Sequence, residues 1–218
     1  MILLCIVTIF SKSTTANADD RYVKLCERYF TEFAEDYGKF GQKDGFTYLY
    51  SDKKNTATIV AMPMEQKKVA VPGKINGKTV TKIELMDVFS RSSNYYFRDE
   101  FYGEHEDNPV PKVEYLSIPK TVKVINIYAG IGLTEGYCGE LQSYLVHLKK
   151  FNVASANKWY RSYKGMLYTK NGKKLLLVPR KYMAKTVKVK KGTTKIADSA
   201  FSFCTNIKKV ILPDTVKV

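Results

Sequence analysis

Two histidines and four cysteines are the side chains of this sequence best suited to chemistry, and their spacing gives them little to do. His105 and His147 lie 42 residues apart. His105 sits among Glu104, Glu106 and Asp107, a set that would attract a cation. Zinc ligands come in closely spaced pairs, which this spacing lacks, so an acidic loop tip is the simpler reading. Cys138 and His147 have the residue types of a thiolate nucleophile and its base. Nothing in the sequence brings those two together. Neither a G-x-S-x-G elbow nor a phosphate-cradling glycine loop occurs. The expectation is a non-catalytic chain with no cofactor and no metal.

Binding chemistry is better represented. The formal net charge is +15, and it is segregated. Fifteen of the 36 Lys and Arg fall between Leu141 and Ala197, a stretch with no Asp or Glu. The remaining 21 balance the 21 acids elsewhere. The candidates for an electrostatic contact are Arg180, Lys181, Lys185, Lys188, Lys190 and Lys191. The aromatic candidates are Trp159, Tyr160 and Tyr163, within the phrase W-Y-R-S-Y. Such a region attracts polyanions and loses that attraction as salt rises. Two plainer readings stand beside this one. The lysines can be a solvated face that blocks edge pairing, and the aromatics can be packing residues.

The N-terminus narrows the partners. Ile2 to Phe10 is a mostly apolar stretch of nine residues, too short to span a bilayer, which needs about 20. With Ala16-Asn17-Ala18 behind it, it reads as a secretory signal over residues 1–18. An exported protein meets extracellular proteins, glycans or anionic wall polymers. Nucleic acid is not expected as a partner, a membrane enters only through export, and the chain is expected to be a monomer. Cys26, Cys138 and Cys204 remain after the signal. That odd number at wide spacing gives no disulfide framework, and Cys204 reads as a small buried apolar residue.

These residues must be carried by local elements. Tyr22, Cys26, Tyr29, Phe30, Phe33 and Tyr37 form a helical stripe between Asp19-Asp20 and Gly38. Residues 19–45 are therefore expected to be a helical leader or cap. Phe46–Tyr50 and Thr56–Val60 flank a polar turn and predict a hairpin. Asn76-Gly77 marks a tight turn. Asn171-Gly172, between G-M-L-Y-T-K and K-K-L-L-L-V, predicts a second hairpin with a type I′ turn. Inserts are expected near 91–114 and 151–180, and Tyr128 to Gly139, with four glycines, is irregular.

One phrase recurs through the chain. Leu116 to Val124 reads L-S-I-P-K-T-V-K-V, and Val210 to Val218 reads V-I-L-P-D-T-V-K-V. Weaker copies start at Val69 and Val187, so the gaps are 47, 71 and 23 residues. Those gaps are close to multiples of one unit in the range of about 20–29 that marks leucine-rich repeats. Such a period predicts a solenoid in which each coil covers the next. The C-terminal stretch I-A-D-S-A-F-S-F-C-T-N-I-K-K-V-I-L-P-D-T-V, from Ile196 to Val216, resembles one repeat of the BspA-like leucine-rich repeat family. The opening hairpin with its V-x-V-P phrase, and the hairpin after Trp159, are similar to other parts of that family.

The resemblance covers about Phe46 to Val218. It implies a mainly β fold with short helices, a leucine-rich-repeat solenoid with hairpin inserts behind an N-terminal helix. It also implies a secreted or cell-surface binding module for adhesion or polymer recognition. The alternative is an architectural spacer, or a substrate-docking repeat for an enzyme domain encoded beyond Val218. The chain stops mid-motif at Val218, so a longer array is expected.

Overall fold

The computed structural model describes residues 39–85, 111–126 and 144–217. The expected signal, the helix over 19–37, most of the 91–114 insert and the irregular 128–139 stretch lie outside the described residues. So do Cys5, Cys26, His105 and Cys138.

The described chain opens with three antiparallel strands. They are β1 (Lys39–Lys43), β2 (Phe46–Ser51) and β3 (Thr56–Ala61). β1 and its turn replace the end of the expected helical leader. The cause is Asp44-Gly45, both at positive φ, a pairing that closes a two-residue hairpin and stops a helix. From here the chain winds. β4 (Lys68–Ala70) lies on one side, and β5 (Lys74–Ile75) turns through Asn76-Gly77 into β6 (Lys78–Ile83) on the other. Both turn residues have positive φ, as the sequence predicts. β7 (Tyr115–Ile118) and β8 (Val124–Ile125) repeat this two-sided course, and β9 (Lys150–Val153) returns to the first side.

Two parallel ladders result. β4, β7 and β9 pair with Val69, Leu116 and Phe151 in register, and all three are buried. β3, β6 and β8 pair with Ile59, Ile83 and Ile125 in register. Alternation turns these apolar side chains inward from both ladders onto one core. β9 was expected to begin an insert. Instead it belongs to the first ladder, and it divides the 71-residue gap between Leu116 and Val187 that the phrase alone left empty.

Next comes a three-stranded unit, β10 (Tyr160–Tyr163), β11 (Met166–Thr169) and β12 (Lys174–Leu177). The β10–β11 turn is Lys164-Gly165, both at positive φ. The β11–β12 turn differs from its expected type. Only Gly172 of the Asn171-Gly172 pair has positive φ, and Gly172 N donates to Thr169 O at 2.8 Å. Asn171 keeps ordinary φ because its Oδ1 accepts hydrogen bonds from Thr169 Oγ1 and Lys173 N. After this unit, β13 (Thr186–Lys188) pairs in parallel with β15 (Lys209–Ile211). β12 pairs in parallel with β14 (Lys195–Ile196).

Among the described residues only Tyr144, between β8 and β9, is helical. The return path from Asp198 to Asn206 is a run of turns, with Ser199 and Phe203 at positive φ. Those two residues break a right-handed spiral on that path. No helix among the described residues is long and apolar enough to cross a membrane.

The three-stranded unit has two buried faces. Leu167 and Leu177 belong to the core of the first ladders. Met166, Tyr168, Leu175 and Val178 belong to a second core with Val187, Val189, Ala197 and Ala200. Gly165 sits at the junction. Its carbonyl accepts from Phe151 N at 2.9 Å, and a Cβ there would lie 2.9 Å from Lys150 Cγ. Gly77 has a similar φ but open space around it. Gly165→Ala should therefore destabilise by about 1–3 kcal/mol, more than Gly77→Ala, because strain adds to a steric contact. Urea unfolding midpoints check this, and equal losses at the two glycines would contradict it.

Candidate functional site

The candidate residues line one stretch of chain but serve different ends. Tyr160 is half-buried against the first core, and its hydroxyl accepts a hydrogen bond from Ile125 N at 3.1 Å. Burial pushes its phenol above the usual range. Tyr163 packs on the second core and meets Tyr168 edge-on at 6.1 Å, with Lys164 Nζ 5.7 Å from its ring centre. Both tyrosines thus take the packing role of the two read from the sequence, since their rings and one hydroxyl are already engaged.

Trp159 is different. It remains 38% exposed just before β10, with Lys123 Nζ 5.6 Å from its ring centre. The turn that presents it is built by Asn157, whose side chain is fully buried. Asn157 Nδ2 donates to Pro119 O and Val122 O, while its Oδ1 accepts from the amides of Trp159 and Tyr160. Nothing in the sequence phrase marked Asn157, because its partners are backbone atoms, two of them on the preceding coil.

The basic candidates spread along one coil. Arg180 is half-buried, with its guanidinium 4.9 Å from the ring centre of exposed Phe203. Lys181 and Lys185 are exposed, and their backbones tie adjacent coils: Lys181 N donates to Leu148 O, and Lys185 O accepts from Lys208 N and Lys209 N. Lys188 is exposed on β13. Lys190 and Lys191 follow at the next corner, where Lys190 N donates to the Tyr168 hydroxyl at 3.2 Å. The six therefore form a basic band from Arg180 to Lys191.

Charge pairing divides the molecule. Ion pairs formed among the described residues join Asp52 to Lys39 and Lys78, Glu84 to Lys82, Glu65 to Lys112, and Glu114 to Lys149. Hydrogen bonds from Lys39 and Lys78 hold the Asp52 carboxyl down at about 2. A depressed carboxyl stabilises the fold above its unfolded value, so this contribution is lost as pH falls from about 4 toward about 2. All these pairs lie before residue 150. His147 is exposed, and among the described residues no three His, Cys, Asp or Glu side chains group as metal ligands.

Cys204 is half-buried, with Sγ 3.5 Å from the carbonyl oxygens of Val178 and Pro179. Burial raises its thiol to about 11, and nearby Arg180 opposes that shift. With Cys5, Cys26 and Cys138 replaced by Ser, alkylation of Cys204 in the folded chain should keep accelerating toward pH 11. In urea the rate should level near the ordinary thiol value of 9. A plateau near pH 9 in the folded chain would contradict the burial argument.

No protein-family model matches the chain, and no curated protein matches it. Three solved structures are similar in part. One is the pneumococcal vaccine antigen PcpA, 16% identical, with a TM-score of 0.36, covering 83% of this chain and 66% of that one. A leucine-rich repeat protein from Eubacterium ventriosum is 16% identical, with a TM-score of 0.40, covering 81% and 60%. A leucine-rich cell surface protein from Faecalibacterium prausnitzii is 18% identical, with a TM-score of 0.40, covering 84% and 45%. The chain thus spans less than two thirds of each of these proteins. Two of these three neighbours are leucine-rich proteins, one of them a cell surface protein, and the third is a vaccine antigen.

Proposed function

We propose that this chain is a secreted or cell-surface leucine-rich-repeat solenoid that binds an extracellular protein, glycan or anionic wall polymer, without catalysis. The observation that carries the reading is the combination of in-register parallel ladders with a lysine-rich second half. Residues 144–217 hold only Asp198 and Asp214 as side-chain carboxylates. A stack of coils gives a long, regular surface, and repeat proteins use such surfaces for recognition. Exposed Trp159 with Lys123 beside it supplies an amphipathic contact at the edge of that surface.

The basic band of Arg180, Lys181, Lys185, Lys188, Lys190 and Lys191 acts in this reading by steering polyanions toward the coils. Steering raises association rates and fades with salt, whereas a fitted contact persists. The test is binding of the purified chain to matrix proteins, acidic glycans and wall polymers at low and high salt. Selective binding of one class that survives high salt is the expected result. Reversing Lys181, Lys185 and Lys188 to Glu should slow low-salt association with every polyanion by about tenfold. Absence of binding across the whole panel would overturn the binding-module reading.

A further inference from the structure

Two large apolar side chains stand exposed beside the basic band. Met183 is 74% exposed and Phe203 is 50% exposed. The segments that carry them, 180–185 and 201–208, run side by side. Asn206 Nδ2 donates to Tyr182 O and Met183 O, both at 3.0 Å, and Lys208 N donates to Lys185 O at 2.7 Å. The Arg180 guanidinium lies 4.9 Å from the Phe203 ring centre. The two segments hold Arg180, Lys181, Lys185 and Lys208, and no Asp or Glu.

Met183 has chain on both sides of it. Asn206 ties its segment to 201–208, and Lys181 N donates to Leu148 O at 2.8 Å on the other side. Its exposure therefore belongs to the flank of the stack. Phe203 has a φ of 59°, in the left-handed region that bulky side chains rarely adopt. Holding an aromatic residue there costs free energy, yet half of its side chain stays in water. Such strain persists chiefly where it serves recognition.

A dissolved polyanion would satisfy the four cations and leave Met183 and Phe203 in water. An acidic protein surface would cover both, but lysine is depleted where protein meets protein. A lipid surface suits the whole set. Anionic headgroups attract Lys and Arg, and the headgroup–acyl boundary takes Phe and Met. Long basic side chains can lie along that boundary with their charges in the headgroups. We infer that this flank docks on an anionic lipid surface, with Phe203 and Met183 entering the acyl boundary and Arg180, Lys181, Lys185 and Lys208 on the headgroups. The inference goes beyond the proposed binding of a protein, glycan or wall polymer, and it stands or falls separately.

The test is cosedimentation of the full chain with phosphatidylcholine vesicles, with and without phosphatidylglycerol. Binding should be at least about tenfold tighter to the anionic vesicles. Changing Phe203→Asn and Met183→Gln together should weaken that binding by about tenfold. The melting temperature should not fall, because Asn tolerates positive φ and both side chains are exposed. The same variant should bind polyglutamate as the parent does. Changing Lys181, Lys185 and Lys208 to Gln should weaken binding to vesicles and to polyglutamate alike. The inference is overturned if the apolar variant binds anionic vesicles as tightly as the parent. Equal binding to both vesicle types, or no vesicle binding at all, overturns it too, whatever the chain does with proteins, glycans or wall polymers.

Discussion

The structure depends on one unit having no wet face. In most antiparallel hairpins one side meets solvent, and the alternation of the sequence shows it. Here Met166 and Tyr168 of β11 enter one core and Leu167 the other, while β12 sends Leu175 to the second core and Leu177 to the first, across a register shift between Leu167 and Tyr168. A shift of one residue in β11 would swap its side chains between those cores, so its register is fixed from both sides. Two tyrosine hydroxyls complete the junction. Tyr160 accepts from Ile125 N on the first ladder, and Tyr168 accepts from Lys190 N beside the second. Those bonds satisfy backbone amides that would otherwise be unpaired at a break in the ladders.

Coil stacking sets how much apolar surface each repeat hides. Val187 is 1% exposed beneath β15, whereas its partner Val210 is 39% exposed. Val189 is 7% exposed and Leu212 is 47% exposed. The same phrase is therefore buried or exposed according to whether another coil lies over it. Side chains as well as ladders bind coil to coil. Asn157, Thr193, Thr215 and Asn206 each donate to backbone carbonyls of the preceding coil. Among the described residues, Lys39, Lys78, Lys82, Lys112 and Lys149 are each paired with a carboxylate.

Much of this was legible in the sequence, for physical reasons. The [VL]-x-[VIL]-P phrase marks ladder positions because a strand needs alternation and proline ends it. Asn76-Gly77 fixed its turn because both residues tolerate positive φ. Phe151 was missed because K-F-N-V lacks the proline, although its inward Phe fills the same slot as Leu116. Val210 and Leu212 carry the recurring phrase yet are exposed, because an apolar strand residue is buried only where a neighbouring strand covers it. Asn171-Gly172 misled because Asn171 has polar partners on both sides that hold it at ordinary φ. The basic band was visible from composition.

The central claim is that the two-faced hairpin couples the two sets of coils. Native-state hydrogen exchange tests it most directly, on hydrogen-bonded amides of each set. Glu84 and Asn126 report the first set, and Val189 and Ala197 report the second. Leu167 faces the first core and Leu175 the second. Each Leu→Ala change should cost about 2–5 kcal/mol. The account predicts that either change lowers the protection of all four amides by the same amount. Loss confined to the set whose core was altered would contradict it.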